Sequence, residues 1–330
     1  MAGFLESEKA RQTAFKATKE WFSQEAQEDG EYKGRKRPFC LDLQHADENL
    51  FEGIRVQALD YFKVNHIKWH DGHDGKPSNH LCDSQVCCAN FLFRFTNEPE
   101  LLASVLRPVF PTLKNMLPIE NGQFITFEWI GQENYLGERV AANGKRTRGA
   151  NCTSSDAAVL FERSDKKRQV VLIEWKYTES YSGTPLQVAS SGTDRRSIYR
   201  HLFDAEDCPL RKELLPSFDS LFFEPFYQFM RQQFLAHKME AARELGAEVV
   251  SVLHIAPAHN KDFTRVTSPE LRSLDSSATG VWKRLVREPD RFTSVSTEGL
   301  FAPILNIPLP ELQAWQDFYL RQRYSWACKS

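Results

Sequence analysis

Neither sign of charge dominates this chain: 42 Lys and Arg stand against 44 Asp and Glu, a formal net charge of −2 over 330 residues. A surface-wide attraction to polyanions is therefore excluded, and any nucleic-acid contact has to be local. Long apolar runs are missing too. The longest are of strand length and the first residues, MAGFLESEKARQ, are charged. The expectation is no membrane span, no signal peptide and a cytoplasmic location. Cysteine never recurs as CxxC, and the seven cysteines include the adjacent Cys87 and Cys88, which suits reduced thiols rather than a disulfide framework. Internal repeats and low-complexity segments are absent. What is present is apolar material, 41% hydrophobic and 12% aromatic, enough to bury a large core as one elaborated domain or a core with appended segments.

The most informative stretch is TSSDAAVLFERSDKKRQVVLIEWKYTESY, from Thr153 to Tyr181. Residues 156–162 and 169–177 are short apolar runs, and the polar segment between them offers Ser164 and Asp165 as turn formers, so the pattern predicts a β-hairpin. A turn centred near Asp165 pairs residues whose numbers sum to about 330 and sets Asp156 opposite Glu174, roughly 5 Å apart at Cβ. Period-2 alternation then puts Glu174 and Lys176 on one face and sends Trp175 to the other, into the core.

Two carboxylates that close repel unless a cation lies between them, and an all-oxygen set favours a hard divalent ion, Mg²⁺ or Mn²⁺. Lys176 is left to orient or deprotonate a water nucleophile, or to neutralise charge building on a phosphoryl group. The competing view is a minor surface ion pair between Glu174 and Lys176, but VVLIEW is apolar on both faces, and polar groups that interrupt a sheet-interior run need a purpose.

An Asp at the start of one strand and Glu-x-Lys at the end of the next resembles the PD-(D/E)XK nuclease superfamily. With it, the blocks HLCDSQVCCANFL, RGANCTSSDAA, LIEWKYTESY and PFYQFMRQQFLAHKME look like a bacterial family of restriction-endonuclease-like proteins, over about residues 66–256. The resemblance implies metal ligation by Asp156, Glu174 and the Trp175 carbonyl, with Lys176 as the catalytic lysine. It departs at Ser155, where the superfamily name expects proline. DNA is the implied substrate and Mg²⁺ or Mn²⁺ the implied cofactor. Two strands of a duplex call for two sites, which leaves a homodimer open. A non-catalytic DNA-binding or assembly module keeping the nuclease fold is the rival.

Along the chain, the pattern predicts an amphipathic helix over 4–24, a buried helix over 84–95 capped by Asp83 or Ser84, and a second from Pro99 that Pro108 and Pro111 break. A strand follows at 123–130, then the hairpin and a loop at 180–197. The best helix runs over 222–245, closed by Gly246, and a strand over 248–255. The expected fold is thus α/β, a restriction-endonuclease-like core of helix, three-strand meander, helix and strand. That core occupies 66–256, with a helical extension at 1–65 and another at 257–330. The latter holds a helix near 278–287, a short strand near 304–307 and a helix at 309–323.

Several further residues carry two readings. Glu128 in FITFEWI is either another metal-site carboxylate or a solvent-facing side chain. Gln85 either orients metal-bound water or is a polar core position. Gln228 and Gln232, four apart on one helix face, either border the site or face solvent. The basic loop with Arg139, Lys145, Arg146 and Arg148, projected by the Asn143-Gly144 turn, is placed to hold phosphate, with Arg195, Arg196 and Arg200 as lesser additions. Lys33, Arg35, Lys36 and Arg37 read as a solvated loop. His66, His70, His73, His80, Cys82, Cys87 and Cys88 crowd into one stretch, yet without closed Cys/His spacing they argue against structural zinc.

Overall fold

The computed structural model describes residues 3–18, 20–138, 144–150, 152–305 and 310–328. Among them, a six-stranded mixed sheet forms the centre. β5 (Ser155–Arg163) and β6 (Arg168–Trp175) form the hairpin, with Ala157 opposite Ile173 and Val159 opposite Val171. β4 (Ile125–Trp129) and β3 (Leu113–Leu117) lie end to end along the other side of β5, both antiparallel to it. β7 (Val249–Ala256) runs parallel to β6 and β8 (Phe292–Ser296) parallel to β7. β6 and β7 are buried along nearly their whole length, because helices cover both faces of the sheet.

One face packs Phe127, Phe161 and Trp175 against α3 (Ser84–Leu92), α4 (Pro99–Leu106), α8 (Thr297–Leu305) and the segment 314–328. The other packs Leu160, Leu172 and Val252 against α6 (Phe226–Ala241) and α7 (Ala278–Leu285) through Phe229, Met230 and Trp282. Each such fully buried side chain contributes about 1.5–3 kcal/mol of transfer free energy. α1 (Phe4–Lys16) joins the first face by a buried polar contact. Tyr177, next to Lys176, donates its hydroxyl to Glu8 Oε2 at 2.7 Å, and Trp326 Nε1 donates to the same oxygen at 3.1 Å.

The structure corrects several boundaries. The first helix stops at Lys16, not 24, where Thr18 Oγ1 turns back onto the Phe15 carbonyl, a side-chain bond that competes with the helical ladder. α6 begins only at Phe226, since Pro225 brings no N–H, and ends at Ala241, after which Arg243 and Leu245 take left-handed φ values of 52° and 58°. The loop after the hairpin ends sooner than expected, at Asp194, which caps α5 (Arg195–Asp204) by accepting from the Arg196 N–H. α2 (Glu52–Val64), the exposed ribbon β1 (Glu31–Tyr32) and β2 (Arg35–Lys36), β3 and β8 were not expected. The strand placed near 304–307 is instead the end of α8 at Ile304 and Leu305, and 306–309 lie outside the described residues.

Candidate active site

Register brings three acidic side chains into one row. Phe127 pairs Ala157 and Trp129 pairs Ser155, so Glu128 lies beside Asp156. Ala157 pairs Ile173, so Asp156 lies beside Glu174, and Glu174 pairs His254 on β7. Neighbouring strands are about 4.8 Å apart. The row crosses the sheet at the end where β6 and β7 finish, the edge at which parallel strands present ligand-binding groups.

Each carboxylate is held by named donors. Asp156 Oδ2 accepts from the Trp175 N–H at 2.7 Å, closing the ladder where backbone pairing stops. Glu174, 1% exposed, accepts from Lys176 Nζ at 2.6 Å on Oε1 and from Gln232 Nε2 at 2.9 Å on Oε2. Glu128 accepts from Gln85 Nε2 at 2.6 Å and from Ser154 Oγ at 2.7 Å, while Gln85 Oε1 accepts from the His70 N–H. Glu128 adopts φ 51°, a left-handed conformation costing about 1–3 kcal/mol in a non-glycine residue. Arg148 Nε clamps that bulge by donating to the Phe127 and Glu128 carbonyls.

The electrostatics follow from burial and crowding. Burial first, then the charges of Glu174 and Glu128, push the half-buried Asp156 carboxyl well above its ordinary range, against Lys176 and the Trp175 N–H. Burial raises Glu128 as well, opposed by the Ser154 and Gln85 hydrogen bonds. Burial works against the charge of Lys176, yet Glu174, with Tyr181, Glu179 and Asp156, holds its ammonium well above the usual lysine range. Negative charge is in excess in this row, the condition that favours a bound cation. Among the described residues no three His, Cys, Asp or Glu side chains already form a metal cage.

Gln232 and Gln85 thus touch the row, whereas no hydrogen bond joins the Gln228 side chain to it among the described residues; the Gln228 backbone N–H serves Glu224. Glu224 was missed. Its Oε2 is buried without a partner, and its charge is felt by Arg231, Lys176 and Glu174. Its spacing from Gln228 and Gln232 was no reliable signal, because Glu224 lies ahead of Pro225, outside α6.

The basic loop is built differently from the expectation. Arg139 lies outside the described residues, and Lys145 is exposed. Arg146 is turned inward, donating to the carbonyls of Ile130, Gly131 and Gln132. Arg148 pairs with Glu120 at 2.8 Å and donates to Tyr61 and Thr126. Arg195 donates to the Leu186 carbonyl, Arg196 pairs with Asp194 and Asp219, and Arg200 lies over the Phe218 ring. His66 and His70 are not a helical pair: α2 ends at Val64 and His66 turns to φ 53°. His70 faces Asp83 at 3.9 Å, His73 faces Asp74, and His80 is packed between Tyr32 and Phe39. Cys82, Cys87 and Cys88 are buried free thiols.

Among the described residues no helix is long and apolar enough to cross a membrane. No curated protein and no solved structure matches the chain. The family model described as "Restriction Endonuclease associating with ARP" matches residues 9–325. With that match over nearly the whole chain, and an Asp, Glu and Lys gathered at one sheet edge, the protein belongs to this restriction endonuclease family.

Proposed function

We propose that the protein is a metal-dependent nuclease of the PD-(D/E)XK type, hydrolysing phosphodiester bonds of DNA at the edge that carries Asp156, Glu174 and Lys176. The succession α3, β4, β5, β6, α6, β7, with α4 and β3 inserted before β4 and α5 before α6, supports assigning that superfamily's core to this chain. The observation that carries the reading is the buried Lys176–Glu174 contact at 2.6 Å beside Asp156.

The donors fit a hard divalent cation. Gln232 supports this: Glu174 Oε2 and the Ser154 carbonyl both accept from its Nε2, which fixes the amide and leaves Oε1 buried with no donor. An orphan acceptor in a charged pocket is satisfied by a metal-bound water. Asp156, Glu174 and the Trp175 carbonyl would hold Mg²⁺ or Mn²⁺. Such an ion, when bound, polarises a phosphoryl oxygen and lowers the pKa of water.

The chain's own groups divide the remaining work. Trp175 N–H fixes one oxygen of Asp156, and Gln232 fixes Glu174. Lys176, kept as an ammonium by its acidic neighbours, donates to the attacking water and holds its lone pair toward phosphorus. The same charge offsets the negative charge that accumulates on the phosphoryl oxygens as the new bond forms.

The test is incubation of supercoiled plasmid and linear DNA with wild type and Lys176→Ala in Mg²⁺, Mn²⁺ or EDTA. Nicking by the wild type in metal alone, reduced at least about a hundredfold in the variant, is expected. Cleavage that persists in EDTA or in Lys176→Ala overturns the assignment. Binding without cleavage in any metal favours the non-catalytic module.

A further inference from the structure

Arg231 precedes Gln232 on α6, so the turn of helix that holds Glu174 also carries a guanidinium to the catalytic edge. Its surroundings are unusual for a half-buried cation. Among the described residues no carboxylate lies within ion-pair distance. Its one hydrogen bond is from Nη1 to Thr153 Oγ1 at 3.3 Å, and Nε is buried without an acceptor. Arg148, by contrast, is paired with Glu120 and surrounded by acceptors. A cation taken out of water without a partner is costly, and folded proteins pair such groups.

Glu224 and Glu138 act on Arg231 through their charge without reaching ion-pair distance, and Glu138 is engaged elsewhere. Its Oε2 is taken by the Thr153 N–H at 2.6 Å, and its Oε1 by the Thr153 hydroxyl at 2.5 Å and the Tyr199 hydroxyl at 2.7 Å. Meanwhile the Arg231 guanidinium lies over the Tyr227 ring, 4.7 Å from its centroid. It borders an open cavity of about 310 Å³ lined by Glu138, Cys152, Ile198, Tyr199 and Tyr227, a volume at the lower end of small-ligand sites. Thr153 stands three residues before Asp156, roughly 10 Å of extended chain.

We infer that this cavity is a phosphate-binding pocket, in which Arg231 receives a phosphodiester flanking the scissile one. The inference rests on the nuclease reading and adds the substrate contact that Arg146 and Arg148 do not provide. A planar guanidinium fork suits two phosphate oxygens at once. The ligand is an internal diester of the bound strand; a terminal 5′-phosphate shares its chemistry and is separated from it by the test.

The test is fluorescence anisotropy of a duplex oligonucleotide over a KCl series in Mg²⁺, in the Lys176→Ala background so that the substrate survives, with Arg231→Ala or Arg231→Lys added. Arg231→Ala is expected to weaken binding roughly tenfold at low salt, whatever the sequence, and to lower the slope of log K against log salt by about one. Arg231→Lys, which keeps the charge and tests for mere misfolding, recovers the slope and part of the affinity. The same loss with 5′-phosphate and 5′-hydroxyl ends supports an internal diester, and a loss confined to 5′-phosphorylated DNA overturns it. Unchanged affinity and slope in Arg231→Ala overturn the pocket alone. If the Lys176→Ala protein binds no DNA at all, the nuclease reading fails and the pocket with it.

Discussion

Gln232 and Lys176 share Glu174: the amide takes Oε2 at 2.9 Å and the ammonium takes Oε1 at 2.6 Å. The crossover helix thus sets the orientation of a carboxylate that the hairpin supplies. Gln232→Leu leaves Glu174 Oε2 and the Ser154 carbonyl without this donor, a penalty of about 1–3 kcal/mol. The expected outcome is a roughly tenfold lower kcat with little change in KM, read from initial nicking rates against DNA concentration. A kcat equal to wild type would mean that Glu174 is oriented without α6.

The acidic row makes the metal-free fold sensitive to pH. A carboxyl whose pKa is raised in the folded state, as in Asp156 and Glu128, contributes stability while protonated, below its unfolded value near 4. That contribution is lost as pH rises through the folded value. Lys176 does not oppose this, because its raised pKa keeps its contribution in place until well above neutrality. Asp156→Asn cannot ionise. In EDTA at neutral pH it is expected to melt about 2–4 °C above wild type, with a flatter dependence as pH rises above about 4, and to gain less from added Mg²⁺. Thermal scans with and without metal check this, and a variant melting below wild type at every pH would contradict it.

Arg148 behaves in the opposite manner to Arg231. Its ion pair with Glu120 has side-chain exposures of 12% and 17%, and breaking a buried pair from one side costs about 3–5 kcal/mol. Arg148→Ala is expected to lower the urea midpoint accordingly without altering the salt dependence of DNA binding in the protein that remains folded. A changed salt slope would show that Arg148 also reaches phosphate.

The β5–β6 hairpin was legible because its determinants are local. A turn at Asp165 fixes the register, and alternation through Glu174, Trp175 and Lys176 fixes the faces; Ala157 opposite Ile173 is the expected pairing. Glu128 was left undecided because its place depends on φ 51° and on an arginine twenty residues later, neither of which periodicity reports. Arg148 itself was assigned to phosphate, because a basic run beside a turn does not announce Tyr61 and Glu120 as its partners. β3 has only five residues, LKNML, of mixed polarity, and pairs only with the far half of β5. α5 was hidden by the Gly, Ser and Thr residues that precede it. The family match supports the nuclease class, while the roles of Asp156, Glu174 and Lys176 rest on the chemistry argued above.

Tyr177 ties the edge that carries the acidic row to chain far away in sequence. The Glu8 contact spans 169 residues, and the Trp326 contact to the same carboxylate spans 318. Closing contacts over such separations is slow compared with forming a hairpin. The hairpin can therefore pair early in biosynthesis, but the brace beneath Lys176 is completed only once residues 325–328 have emerged and docked. A chain still on the ribosome holds the acidic row and the lysine without that support. In the nuclease proposed above, the braced form of this edge therefore appears only after segments distant in sequence have docked, later than the hairpin itself.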